Sequence, residues 1–79
     1  MKEITVHAEW HDEPKLWIAT SEDIWGLAAQ ATEFELLRAK VLPMISDLIE
    51  LNKVKVQGKF ITIHFVAKST DMLRLNAVA

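Results

Sequence analysis

The chain has 79 residues, 51% of them hydrophobic, with 2 glycines, 2 prolines, no cysteine and a formal net charge of -2. That length holds one domain around one core, the apolar content excludes a disordered tail, and the missing cysteine excludes a disulfide framework and a thiolate metal site. The acidic balance argues against a dedicated nucleic-acid binder. No apolar run approaches the ~20 residues of a membrane span, and the opening MKEITVHAEW has no signal-peptide core, so a cytoplasmic protein is expected.

Residues 4–11 alternate. Ile4, Val6, Ala8 and Trp10 fall on one face, and Thr5, His7, Glu9 and His11 on the other. A period of two predicts a half-buried strand. Residues 11–15 are polar and contain Pro14, which suits a turn. The apolar run Leu16-Trp17-Ile18-Ala19-Thr20 is too short for a helix and predicts a second strand, closing a hairpin. Ser21-Glu22-Asp23 is a polar turn, and Gly26 supplies a positive φ or a close backbone approach. Residues 27–31 are alanine-rich, which favours helix. However, Thr32-Glu33-Phe34-Glu35 matches a capping box, so the helix is expected to begin at Thr32 and the segment before it to be a short edge strand. Glu33 and Glu35 also suit the positive end of the helix dipole.

The helix carries Phe34, Leu37, Val41, Met44, Ile45, Leu48 and Leu51 in steps of three and four, an apolar stripe. It is expected to end at Leu51, with Asn52 in the left-handed conformation that closes many helices. Pro43 lies inside it and predicts a kink rather than two helices, because the periodicity continues across the proline. Residues 52–59 read as a loop. Residues 60–66 form the clearest strand pattern, with Ile61, Ile63 and Phe65 on one face and Thr62 and His64 on the other.

The expected fold class is therefore α+β: a three-stranded antiparallel meander, one long kinked helix, then a fourth strand, with the helix over one face of an antiparallel sheet. Residues 1–68 make the domain, and residues 69–79 a tail that is an extra strand or disordered. A chain this short buries only about 60% of its unfolded surface. Trp10, Trp17, Trp25, Phe34, Phe60 and Phe65 exceed what so small a core hides, so a homodimer is expected.

The order of elements and the middle residues resemble the HicB antitoxin family and, more closely, a short relative of it known only as a domain of unknown function. The resemblance covers residues 3–67. It rests on Trp17-Ile18-Ala19-Thr20-Ser21 at a strand end, the acidic turn Asp23-Ile24-Trp25-Gly26, Ala31-Thr32 at the helix start, and the Leu-rich helix end from Pro43 to Asn52. It implies a truncated ribonuclease-H-like fold and a non-enzymatic role, in which the protein neutralises a small basic RNA-cleaving toxin by binding it. Two departures stand out. Trp25 occupies the place where HicB proteins usually have proline, and the 13 residues after Val66 are too few for the family's DNA-binding segment, so direct contact with nucleic acid is not expected.

Other constellations carry a chemical reading beside a plain structural one. His7, Glu9 and His11 share a strand face, with His64 or Asp12 as further donors, a composition suited to zinc. Same-face positions stand ~6.5–7 Å apart along a strand, so three rarely share one ion. A solvated sheet face is the expected reading, without metal or cofactor. Glu22 and Asp23 resemble a general acid–base pair only in composition, since adjacent turn residues point apart. Ribonuclease-H chemistry needs several converging carboxylates, whereas the first strand offers only Glu3 and Glu9, so no enzymatic activity is expected. Lys53, Lys55 and Lys59, with Lys68 and Arg74, make the C-terminal half locally basic and suit phosphate contacts in an alternative RNA-binding role, although a solvated loop is the favoured account because the whole chain is acidic.

Overall fold

The structure is a computed structural model and describes residues 3–76. The elements follow the expected order: β1 (Glu3–His11), β2 (Leu16–Thr20), β3 (Ala28–Ala31), α1 (Phe34–Leu51) and β4 (Thr62–Lys68). They form an α+β domain with one four-stranded sheet in the order β3-β2-β1-β4. β1 and β2 pair antiparallel, with Trp10 opposite Trp17 and His11 opposite Leu16. β3 pairs antiparallel with β2 at the sheet edge, Ala29 opposite Ala19.

The sheet is mixed rather than wholly antiparallel. β4 runs parallel to β1, with Ile4 opposite Ile63 and Val6 opposite Phe65. The meander dictates this direction. Two antiparallel pairings leave β3 parallel to β1, and a helix then carries the chain back to the end of the sheet where β3 began. A strand laid down after such a crossover is parallel.

Pattern and burial agree on β1. Ile4, Val6 and Ala8 are buried beneath the helix, while His7 and Glu9 are exposed on the outer face. The core also contains Ala19, Ile24, Leu27, Ala31, Leu37, Val41 and Ile45. An aromatic chain crosses the helix-facing side, with centroid separations of 5.6 Å for Trp10–Trp17, 5.4 Å for Trp17–Phe34 and 6.1 Å for Phe34–Phe65. These are the tilted and edge-on arrangements that ring quadrupoles favour. Arg38 covers its far end, 5.7 Å from the Phe65 ring centre, while bonding Glu35 at 2.9 Å.

Several local expectations fail for identifiable reasons. The capping box does not form: Glu33 is the N-cap, its backbone extended, and no side chain accepts a cap hydrogen bond. Thr32 lies one residue too far out, because β3 holds the chain extended through Ala31. At the other end Asn52 has φ -88°, and the left-handed residue is Lys53 at φ 53°. The Asn52, Lys53 and Val54 N–H groups donate back to the Leu48, Glu50 and Ile49 carbonyls, so the helix closes through backbone bonds one residue later than the asparagine signal suggests. Leu51 is 76% exposed instead of completing the stripe. Six residues beyond Ile45 it has turned roughly 240° from that residue's direction, off the buried face.

The helix runs through Pro43, which is exposed, as one segment. β4 begins at Thr62 rather than Phe60 and extends to Lys68. Phe60 is 90% exposed. Residues 69–76 form no strand and are exposed throughout, and the last part of the expected tail, residues 77–79, lies outside the described residues.

Two substitutions measure these points. Leu37→Ala, at a fully buried position, is expected to cost about 2–5 kcal/mol in urea unfolding. Thr32→Ala is expected to change stability by less than about 0.5 kcal/mol, where a working cap would cost about 1; a loss of the larger size would restore the capping box.

Candidate functional site

β1 is longer than β2, and this mismatch builds the loop that follows β2. The β1–β2 pairing stops at His7 opposite Thr20. Thr5, two residues earlier, would leave its peptide group without a partner on that side. The loop's side chains supply one. Thr5 N–H donates to Asp23 Oδ2 at 2.7 Å, and Ser21 Oγ donates to the Thr5 carbonyl at 2.6 Å. Ser21 Oγ also accepts from the Asp23 N–H at 3.1 Å. The Ser-Glu-Asp turn thus continues the sheet with side chains where strand backbone has run out. Asp23 is thereby committed to structure, and Glu22 beside it is exposed. No acid–base pair is assembled.

Two further anchors fix the loop. Ile24 and Leu27 are buried, at 2% and 5% exposure. Between them Gly26 takes φ +94°, and a Cβ there would meet Leu48 Cδ2 at 3.3 Å. Glycine serves here both as a left-handed turn and as a close approach to the helix. Asn52, at the helix end, donates from Nδ2 to the Trp25 carbonyl at 3.0 Å. The consequence for Trp25 is plain: with its neighbours turned into the core and its carbonyl tied down, its side chain stands 84% exposed. A large aromatic on a braced loop that also carries exposed Glu22 and is tied to the end of α1 is the principal surface feature of this region. The sequence marked Trp25 as an apolar residue needing cover and as a departure from the HicB proline before Gly26, but not as an exposed side chain.

The histidines are not brought together. His7 is exposed with Thr20 and Val66 as its strand partners, and His11 lies at the hairpin end. His64 Nε2 instead meets Glu3 Oε1 at 3.1 Å across the β1–β4 pair. Asp12 accepts from the Trp10 indole N–H at 2.8 Å. Among the described residues no three His, Asp or Glu side chains are grouped to hold a metal ion. Lys53, Lys55 and Lys59 are all exposed on the segment between α1 and β4.

Openings among the described residues flank the helix on either side. One, of about 430 Å³, lies on the β3 side between Leu16, Ala31, Leu36 and Ala39. Lys40 reaches across its rim to the Gln30 carbonyl at 2.9 Å, occupying an acceptor of the edge strand. The other, of about 410 Å³, separates α1 from the start of β4 and is lined by Leu42, Ile45, Ile49, Phe60, Ile61 and Ile63.

Residues 3–77 match the domain of unknown function DUF1902. The chain belongs to that family. It is also similar to a solved structure, the hypothetical protein TTHA1013 from the extremely thermophilic bacterium Thermus thermophilus, at 31% identity and a TM-score of 0.72, over 94% of this chain and 100% of that one. No curated protein matches. No helix among the described residues is long and apolar enough to cross a membrane.

The loop bracing predicts a local effect. Asp23→Ala removes an acceptor from the Thr5 N–H and is expected to cost about 1–2 kcal/mol. Amide hydrogen exchange at Thr5 should accelerate, while protection at Val6 and Ala8 falls only in step with global stability. Unchanged protection at Thr5 would show that the bond carries no weight.

Proposed function

We propose that this DUF1902 protein is a non-enzymatic binding module of the HicB-like antitoxin type, acting in the cytoplasm as a homodimer and docking a small basic protein. The observation that carries this reading is Trp25. Its indole is 84% exposed on a loop held by Asp23, Ser21 and Asn52, so its presentation requires little ordering on binding. Rigid exposed tryptophans are the side chains that most often anchor protein interfaces. Exposed Glu22 on the same loop, and the chain's net charge of -2, suit a cationic partner, with opposite charge assisting encounter. The turn that holds Trp25 is the same acidic turn on which the resemblance to HicB antitoxins rests. The roles of the nearby side chains also favour binding over chemistry: Asp23 is used as a backbone acceptor, the Ser21 hydroxyl is engaged with the Thr5 carbonyl, and Glu22 faces solvent.

The reading expects a short adjacent reading frame encoding a small basic protein, and the test titrates that product, purified separately, against the full chain by calorimetry. A one-to-one complex is expected, weakening as salt rises. Trp25→Ala should reduce affinity about tenfold or more while leaving the fold intact by circular dichroism. Absence of binding, or binding indifferent to both Trp25→Ala and Glu22→Lys, would overturn the reading.

A further inference from the structure

The C-terminal segment after β4 is inconsistent with a protein that keeps its apolar surface to itself. Met72, Leu73 and Leu75 are 97%, 83% and 79% exposed. The molecule measures 63 × 20 × 18 Å with a radius of gyration of 16.3 Å, against about 12 Å for a compact chain of this length. Eight extended residues span about 27 Å, enough to account for the excess length. The tail therefore projects from the sheet and carries three large apolar side chains into water.

Two further features lie on the side of the molecule from which it departs. β4 is the last strand of the sheet, and its outer edge has no strand partner among the described residues. Exposed Val66 lies on this strand, 50% in water. The opening between α1 and the start of β4 is apolar and unfilled. The tail leaves from one end of β4, whereas the opening lies at the other end, so one chain's tail cannot fill its own opening without reversing. A second copy related by a two-fold axis through the middle of β4 brings the two together.

We propose that two copies pair antiparallel along β4, joining their sheets into one of eight strands, and that each tail lies along the start of the other copy's β4 and over its apolar opening. This rests on the dimeric binding-module reading and identifies the surface that makes the dimer. The register is self-consistent. β4 (Thr62–Lys68) is centred on Phe65, so antiparallel pairing about that residue sets His64 opposite Val66 and Thr62 opposite Lys68. Continued outward, it sets Ser69 opposite Ile61, Thr70 opposite Phe60 and Asp71 opposite Lys59. The charged pair is complementary, and no like charges face each other along β4.

Alternation then decides what the tail's side chains meet. In an antiparallel pair, opposed residues share a face. Residues 73 and 75 share parity with Ile61 and Ile63, whose side chains point toward the helix. Leu73 and Leu75 are thus directed to the side of the sheet where Leu42, Ile45 and Ile49 line the opening. Gly58, at φ +80°, turns the receiving chain, so beyond Lys59 the contact passes from a backbone ladder to side-chain burial. Because a two-fold axis perpendicular to the sheet preserves its faces, both helices remain on the same side and the outer faces stay continuous. Exchange of an identical segment between copies is a common route to a symmetric dimer.

The test is the oligomeric state of the full chain by light scattering and sedimentation equilibrium. The expected result is a dimer. Leu73→Asp combined with Leu75→Asp should raise its dissociation constant about tenfold or more. Lys59→Asp and Asp71→Lys should each weaken it, and the two together in one chain should restore it, a rescue that general destabilisation would not produce. The natural chain has no cysteine, so His64→Cys with Val66→Cys places two thiols opposite one another across the axis, and oxidation should give a covalent dimer. A monomer at all accessible concentrations overturns the inference. So does a dimer that neither cross-links nor responds to the tail and charge variants, since its interface then lies elsewhere. Either outcome leaves binding of the basic partner through Trp25 standing, whereas loss of that binding in an intact edge-paired dimer would overturn the functional reading alone.

Discussion

A helix with its side chains is about 10 Å across, whereas four strands about 4.8 Å apart present a face nearly twice as broad, and this disparity shapes the rest of the protein. A single α1 is asked to shelter the apolar face of β3-β2-β1-β4. It succeeds over the middle, where Leu37, Val41 and Ile45 meet Ile4, Val6 and Ala19 and all are buried. It fails at both margins, leaving one opening on the β3 side and another on the β4 side. The aromatic chain from Trp10 to Phe65 partly fills the deficit, because rings are the widest side chains available and can tile a surface a helix cannot reach. On the β4 side Ile61, Ile63 and Phe65 remain only half-buried.

β1 ties the two halves of the molecule together. It is hydrogen-bonded on one side to β4 along Glu3 to Glu9 and on the other to β2 from His7 onward. The short stretch that β2 does not reach is completed by Ser21 and Asp23. Backbone N–H and C=O groups on a strand call for partners, and here that requirement fixes a surface loop. The same bonds that satisfy Thr5 hold Trp25 in place, so a constraint of sheet formation becomes a presented side chain. Under the proposed reading, pre-organisation of this kind is what a small binding module needs, since loop ordering is a principal cost of association.

The proposed partner surface and the proposed self-association surface are carried by different segments of the chain. The loop bearing Trp25 leads into β3, while the tail follows β4. Under that proposal a two-fold dimer presents two copies of the tryptophan loop. A bivalent arrangement of this kind raises apparent affinity for a multivalent target without any new contact.

Local periodicity was enough to place the secondary structure and its order, because a side chain's face within one element needs no distant neighbour to define it. Period two in residues 4–11 and 61–65 and steps of three and four from Phe34 to Leu48 are visible in the chain itself. So is the alternation that puts His7 and Glu9 in water and Ile4, Val6 and Ala8 inside. The remainder depended on how the elements meet. The parallel direction of β4 follows from where the crossover delivers the chain. Thr32 failed as a cap because β3 pairing held the backbone extended past it, and Asn52 yielded the left-handed position to Lys53 because three backbone N–H groups had carbonyls within reach. Asp23 looked like half of a carboxylate pair and proved to be a substitute strand partner, since only the unequal lengths of β1 and β2 create the vacancy it fills. Trp25 was legible as an apolar residue but not as an exposed one: its burial depended on the direction in which Gly26 turned the chain, and a single dihedral angle is settled by what packs around it.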